Sequence, residues 1–199
     1  MMKNIVKKMN RGILLTVAIL IVVSIYLVAT SISQAAEKPA IEQICRDYTA
    51  SEISYSLLPE NWRDSTEPMP QEELDKYLAS METDIAPWYI DNERIRKLAL
   101  DRIKNDLEYQ ADSADRILEY TKEIVKFESL SFSGNEVTVV FRSRSAVERS
   151  ISENTSDTDR TVEETSDTIM LQKIDGEWKL VYANLYQPVK WETSYKSFY

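Results

Sequence analysis

The sequence predicts an α+β protein: one apolar N-terminal helix, then three helices packed on a curved four-stranded antiparallel sheet. Three observations predict it. An uncharged stretch runs from Gly12 to Ala36, apolar residues recur at helical spacing between Ile41 and Leu107, and the pattern then shifts to alternation rich in Val, Ile, Phe, Thr and Tyr. The resulting boundaries are a basic tail over 1–11, an anchor or signal segment over 12–33, an outer domain over 37–186 and an aromatic tail over 187–199.

The N-terminal stretch is almost wholly apolar from Ile13 to Ala29. About 20 helical residues cross a hydrocarbon core of about 30 Å. Lys3, Lys7, Lys8 and Arg11 precede it, so the positive-inside rule keeps the tail in the cytoplasm and puts the C-terminal part outside, giving a single-pass cell-membrane protein. The alternative is secretion after cleavage near Ala35, because Ser33-Gln34-Ala35 offers small residues where a signal peptidase reads. Length favours the anchor.

The next elements follow from periodicity and breakers. Ile41, Ile44, Cys45, Tyr48 and Tyr55 mark an amphipathic helix after Pro39 that ends near Pro59, with Glu42, Arg46, Asp47 and Glu52 off its apolar stripe. Gln71-Glu72-Glu73 opens a second helix carrying Leu74, Tyr77, Leu78 and Met81, stopped by Pro87. Asp91 caps a third, whose inward stripe is Ile95, Leu98, Ala99, Arg102, Ile103 and Leu107, leaving Glu93 and Asp106 outside.

Two hairpins set the sheet. Asp175-Gly176 suits a two-residue loop that pairs Lys173 with Trp178, Leu171 with Leu180 and Ile169 with Tyr182, all on one face. Gly134-Asn135 pairs Phe132 with Val137, Leu130 with Val139 and Glu128 with Phe141, and turns Arg142 and Arg144 to the opposite face. The polar run from Ser150 to Thr161 reads as an exposed connection between long strands.

Composition narrows the chemistry. The chain has no histidine and one cysteine, Cys45, which removes Ser-His-Asp and Cys-His catalysis, imidazole metal sites, internal disulfides and four-cysteine zinc. Three glycines, Gly12, Gly134 and Gly176, cannot make a phosphate-cradling loop. The net charge of −9 becomes −13 from Glu37 onward, since the four basic residues before it face no acid, and such a surface repels nucleic acid. No cofactor, metal or catalytic set is expected, and the balance leans away from an enzyme.

What remains is surface. Arg142 and Arg144 most simply form cross-strand ion pairs with acids such as Glu163 and Glu164, or else meet an anionic partner. Trp88, Tyr89, Trp191 and Tyr195 fall in predicted loops or the tail and suit a partner contact. These six residues form the candidate interaction surface.

The strand Val137-Thr138-Val139-Val140-Phe141-Arg142 and the run from Glu163 to Leu180, with its Lys173-Ile174-Asp175-Gly176-Glu177-Trp178 hairpin, resemble the C-terminal half of the nuclear-transport-factor-2-like (NTF2-like, cystatin-like α+β) superfamily. The chain also resembles extracytoplasmic regions that precede amidase domains in bacterial secreted proteins, and single-span components of conjugative secretion machines. The resemblance implies helices over one face of a curved sheet, and carries over no functional residue. It implies a membrane-anchored binding or scaffold module for another envelope protein or ligand. The alternatives are a small-molecule or carboxylate/tyrosine catalytic cone, and a regulator of a cell-wall enzyme.

Overall fold

A computed structural model describes residues 11–113, 115–150 and 158–185. The chain divides into two compact units, 1–41 and 42–199. The first helix, α1 (Arg11–Tyr55), contributes to both and carries Pro39 within it, where the sequence pattern had suggested a break. In the first unit, large side chains such as Leu20, Val22 and Ile25 are all more than half exposed. The apolar window of α1 is long enough to cross a membrane, and none of it is buried against protein.

The second unit is α+β. After the last turns of α1 come a one-turn helix, α2 (Glu60–Arg63), then α3 (Gln71–Ile85), a 3-10 turn (Ala86–Trp88) and α4 (Glu93–Asp112). Glu72 and Glu73 in the first turn of α3 complement its dipole, and Leu74, Met81 and Ile85 form its buried stripe. Helix α4 is capped by Asn92, whose side chain accepts from the Ile95 amide at 3.2 Å; Asp91, one residue earlier, pairs instead with Arg96 at 2.9 Å. The buried face of α4 is Ile103, Leu107, Gln110 and Ala111. Of the expected inward stripe, Ile95, Leu98 and Ala99 are therefore not core, and Leu98 is 63% exposed.

Strands β1 (Ile117–Ser133), β2 (Glu136–Ser150), β3 (Thr158–Ile174) and β4 (Glu177–Asn184) form an antiparallel meander in chain order. Strand β3 takes up Thr158 to Thr161 of the expected connection, and 151–157 lie outside the described residues. Both hairpins form where the sequence placed them, with Phe132 opposite Val137 and Lys173 opposite Trp178. Asp175 (φ 51) and Gly176 (φ 90) take the left-handed backbone that such a tight loop requires.

Farther from the loops, bulges shift the register. Strand β1 slips at Leu118, Val125 and Glu128, so Phe127 rather than Glu128 opposes Phe141, their ring centroids 5.8 Å apart. Glu128 turns outward and accepts from Arg142 at 3.0 Å. An extra residue at Val181 of β4 puts Ala183 rather than Tyr182 opposite Ile169. Tyr182 is consequently 49% exposed, while Leu185 is buried. Bulges carry no local residue signature in these strands, which is why simple alternation missed them.

One sheet face is core. Val137, Val139 and Phe141 of β2, Ile169 and Leu171 of β3 and Leu180 of β4 are all buried. At the other end of β2, Val147 joins Ile117, Tyr120 and Leu57, with Ile53 packed against them. Beyond β4, Tyr89 bridges Leu180 in parallel and the Ile90 amide donates to the Leu180 carbonyl at 3.0 Å, covering that part of the sheet edge.

Arg116 closes the helical layer onto the sheet. Its guanidinium, in a residue 1% exposed, donates to the carbonyls of Gln110 at 3.2 Å and Ser113 at 3.1 Å, and to those of Trp62 and Glu67. Gln110 adds a second clasp, donating to the Ser56 carbonyl at 3.0 Å and accepting from the Ile117 amide at 3.2 Å.

Candidate functional site

Between its two apolar ends, the inner face of the sheet becomes polar. Tyr120 and Lys122 on β1, Ser143 and Ser145 on β2, and Asp167 on β3 are all buried. The registers bring them together, since Lys122 lies opposite Ser145, and Ser143 and Asp167 occupy the same inward phase on adjacent strands. Lys122 Nζ sits 2.9 Å from Asp167 Oδ2 with neither side chain exposed, and the same oxygen accepts from Ser143.

The helices answer with a second ion pair. Glu52, on the last turns of α1 and fully buried, accepts from Arg102 Nη2 of α4 through Oε1 at 2.5 Å. One turn before Glu52, the Tyr48 hydroxyl meets that of Tyr89 at 2.6 Å. Two acids and two bases thus offset one another, with the Glu52, Lys122 and Asp167 side chains fully buried and that of Arg102 35% exposed, and such pairing is the condition under which buried charge is tolerated.

Pairing within this cluster is incomplete. Glu52 Oε2, Arg102 Nε, Tyr120 Oη and Ser145 Oγ are buried without a hydrogen-bond partner among the described residues. Burial pushes the Glu52 carboxyl above its ordinary range, with Arg102 and then Lys122 opposing and Asp167 adding to the shift. Burial also raises the Tyr120 hydroxyl, Glu52 adding to it; the Ser145 hydroxyl is near enough to oppose the shift without reaching bonding geometry. Tyr48 is pushed up in the same way, by burial first and Tyr89 second. The arrangement can hold a proton on a carboxyl at pH values where an exposed one would lose it. The Cys45 thiol, pushed up to about 12 by burial, stays protonated and unreactive.

Two open depressions flank α4. A groove of about 670 Å³ separates it from α3, with Leu78, Ile85 and Leu100 in its walls and Asp75, Glu82 and Lys104 among its charged residues. A second, of about 320 Å³, lies between α4 and β4 and includes Leu98, Ala99, Arg102, Tyr182 and Ala183.

The six residues of the expected interaction surface separate. Arg142 and Arg144 are exposed on the outer face; Arg142 pairs with Glu128, and Arg144 pairs with Glu164 at 2.5 Å and reaches Glu123 at 3.7 Å. Trp88 is half-buried, edge-on to Tyr48 at 5.7 Å. Tyr89 belongs to the interior, because its hydroxyl finds Tyr48 there. Trp191 and Tyr195 lie outside the described residues. Sequence reasoning put Glu52 on the polar side of its helix and passed over Lys122, Ser143, Ser145 and Asp167. The available signal was phase: Ser143 and Ser145 continue the inward alternation of Val137, Val139 and Phe141, as Asp167 continues that of Leu171 and Ile169.

No protein-family model matches the chain, and no curated protein matches it. Among solved structures, the intermembrane space region of chloroplast protein ARC6 is similar at 15% identity and a TM-score of 0.36, over 69% of this chain and 93% of that one. A likeness of that degree leaves the functional argument to this chain's own residues.

Proposed function

We propose that this protein is a membrane-anchored, extracytoplasmic binding or scaffold module, in which residues 12–33 hold an NTF2-like α+β unit at the outer surface to meet another envelope protein or a ligand. The observation that carries this reading is the apolar window of α1, uncharged from Gly12 to Ala36 and with none of it buried against protein. Lipid is the solvent such a surface needs, and the basic residues before it favour the inner side. The helix layer followed by a meander, with bulges that bend β1, supports the NTF2-like assignment. The mutual neutralisation of Glu52, Arg102, Lys122 and Asp167 supports a binding role over acid–base turnover, because these charges are already engaged with each other.

The test uses the full chain in the membranes of cells that produce it. We expect it to stay with the membrane in alkaline carbonate, and Thr83→Cys, at an exposed site on α3, to react from outside with an impermeant maleimide while buried Cys45 does not. Crosslinking then returns a defined protein neighbour. Release by carbonate, or a cysteine reachable only after lysis, would sink the proposal.

A second reading, a carboxylate/tyrosine catalytic cone, is favoured by one feature: the unpaired Oε2 of Glu52 beside the unpaired hydroxyl of Tyr120. Glu52→Gln separates the readings, since a cone that turns over substrate would lose activity and a scaffold would keep its crosslinks.

A further inference from the structure

Where the helix layer meets the sheet, four elements each present a polar atom that is shut off from solvent and bonded to nothing else among the described residues: Glu52 Oε2 of α1, Arg102 Nε of α4, Tyr120 Oη of β1 and Ser145 Oγ of β2. They share one neighbourhood. Arg102 Nη2 already meets Glu52 Oε1 at 2.5 Å, and Nε lies on the same edge of the planar guanidinium without having reached the carboxylate. The Tyr120 hydroxyl feels the charges of both Glu52 and Arg102 and lies close to the Ser145 hydroxyl. Along β1, Tyr120 and Lys122 share the inward phase, and Lys122 stands opposite Ser145, so both hydroxyls rise from one patch of the inner face.

A buried polar group costs free energy while it lacks a partner, and native interiors supply one. Size and charge together select it here. The four atoms are closed to solvent, which admits only a very small molecule. Glu52 is balanced by Arg102 and Asp167 by Lys122, so no net charge favours an ion over a neutral molecule. The guanidinium can only donate, an ionised carboxylate can only accept, and the two hydroxyls do either. We propose that this junction binds an internal water, which accepts from Arg102 Nε and the Tyr120 hydroxyl and donates to Glu52 Oε2 and Ser145 Oγ. That set fills a water's hydrogen-bonding capacity, and buried waters make about three such bonds on average. The water joins the helix layer to the sheet, as Gln110 does at the start of β1. The inference does not rest on the membrane-anchored reading, so either can fail alone.

The experiment uses the full chain crystallised from a lipidic mesophase, with electron density calculated before any solvent is placed. We expect an isolated peak within about 2.5–3.2 Å of Glu52 Oε2 and of at least two of the other three atoms. Tyr120→Phe combined with Ser145→Ala removes two of its partners, and crystals of that variant should lose the peak. Ser145→Val alone, which puts methyl groups where the hydroxyl stood, should lose it as well and serves if the double variant does not fold. Deuteron relaxation dispersion of the chain in detergent micelles should show the loss of a long-lived water in either variant. Direct bonding of Glu52 to Tyr120 or Ser145 in the native crystals, a dry junction, density too large for a water, or a peak undiminished in a folded variant would overturn the proposal.

Discussion

Lys122 and Asp167 form an ion pair at 2.9 Å across the inner face of the sheet, on strands that are not neighbours, with β2 and its Ser143 between them. Taking both charges out of water costs several kcal/mol each, and their attraction together with the Ser143 hydroxyl offsets that cost. Removing one partner should therefore be worse than removing both. Lys122→Met or Asp167→Leu alone is expected to lower unfolding free energy by about 3–5 kcal/mol, whereas the double substitution should return to within about 2 kcal/mol of the native chain. Urea titrations followed by tryptophan fluorescence decide it, and additive losses would contradict the pairing.

Glu52 makes stability depend on pH in a defined direction. Its folded pKa lies above the ordinary value of 4.5, chiefly through burial, so the unfolded chain ionises first as pH rises. The contribution from this carboxyl is fully present below the ordinary value, and is lost as pH climbs through the raised folded value. Glu52→Gln keeps an acceptor for Arg102 and removes the proton. The variant is expected to show a shallower fall in melting temperature as pH rises above 4.5, a comparison best made by calorimetry in matched buffers. Identical profiles for the two chains would contradict the assignment.

Arg116 replaces an ion pair with four carbonyls drawn from three segments, those of Trp62, Glu67 and the Gln110–Ser113 end of α4. Hydrogen bonds to a charged group contribute about 1.5–3 kcal/mol each, and buried carbonyls left unpaired add to the loss. Arg116→Met should cost at least about 3 kcal/mol by that measure. Arg116→Lys should recover only part of it, because one ammonium cannot replicate the planar fork. Hydrogen exchange at the Met69 amide, which donates to the Ala111 carbonyl at 2.9 Å beside this clasp, should quicken in both variants.

The α+β order, both hairpin loops and the start of α3 at Gln71 were legible because each has a local cause: Pro70 before a run of acids, or two-residue loops at Gly134-Asn135 and Asp175-Gly176. The site was less legible. Glu52 sits among polar neighbours on its helix, and only the tertiary partner Arg102, fifty residues on, explains its burial. The outward rotation of Leu98 has a similar origin, since Gln110 and Ala111 claim the buried face at the far end of the same helix. Ser143, Ser145 and Asp167 interrupt an apolar phase, and a period-2 pattern reads such interruptions as strand ends rather than as a buried polar band.

The β3–β4 loop is the most direct test of local coding. Gly176 holds φ at 90, a conformation in which a side chain is strained even though the space around it is open. Gly176→Ala should destabilise by about 1–2 kcal/mol, and Asp175→Asn, which tolerates the left-handed backbone, by much less. Because register here positions Leu180 and, through the Val181 bulge, Ala183, the alanine variant should also broaden the amide resonances of β4 and of Ile90, whose amide donates to Leu180. An unchanged spectrum with unchanged stability would mean that tertiary packing alone, not the turn, sets the pairing of Leu171 with Leu180.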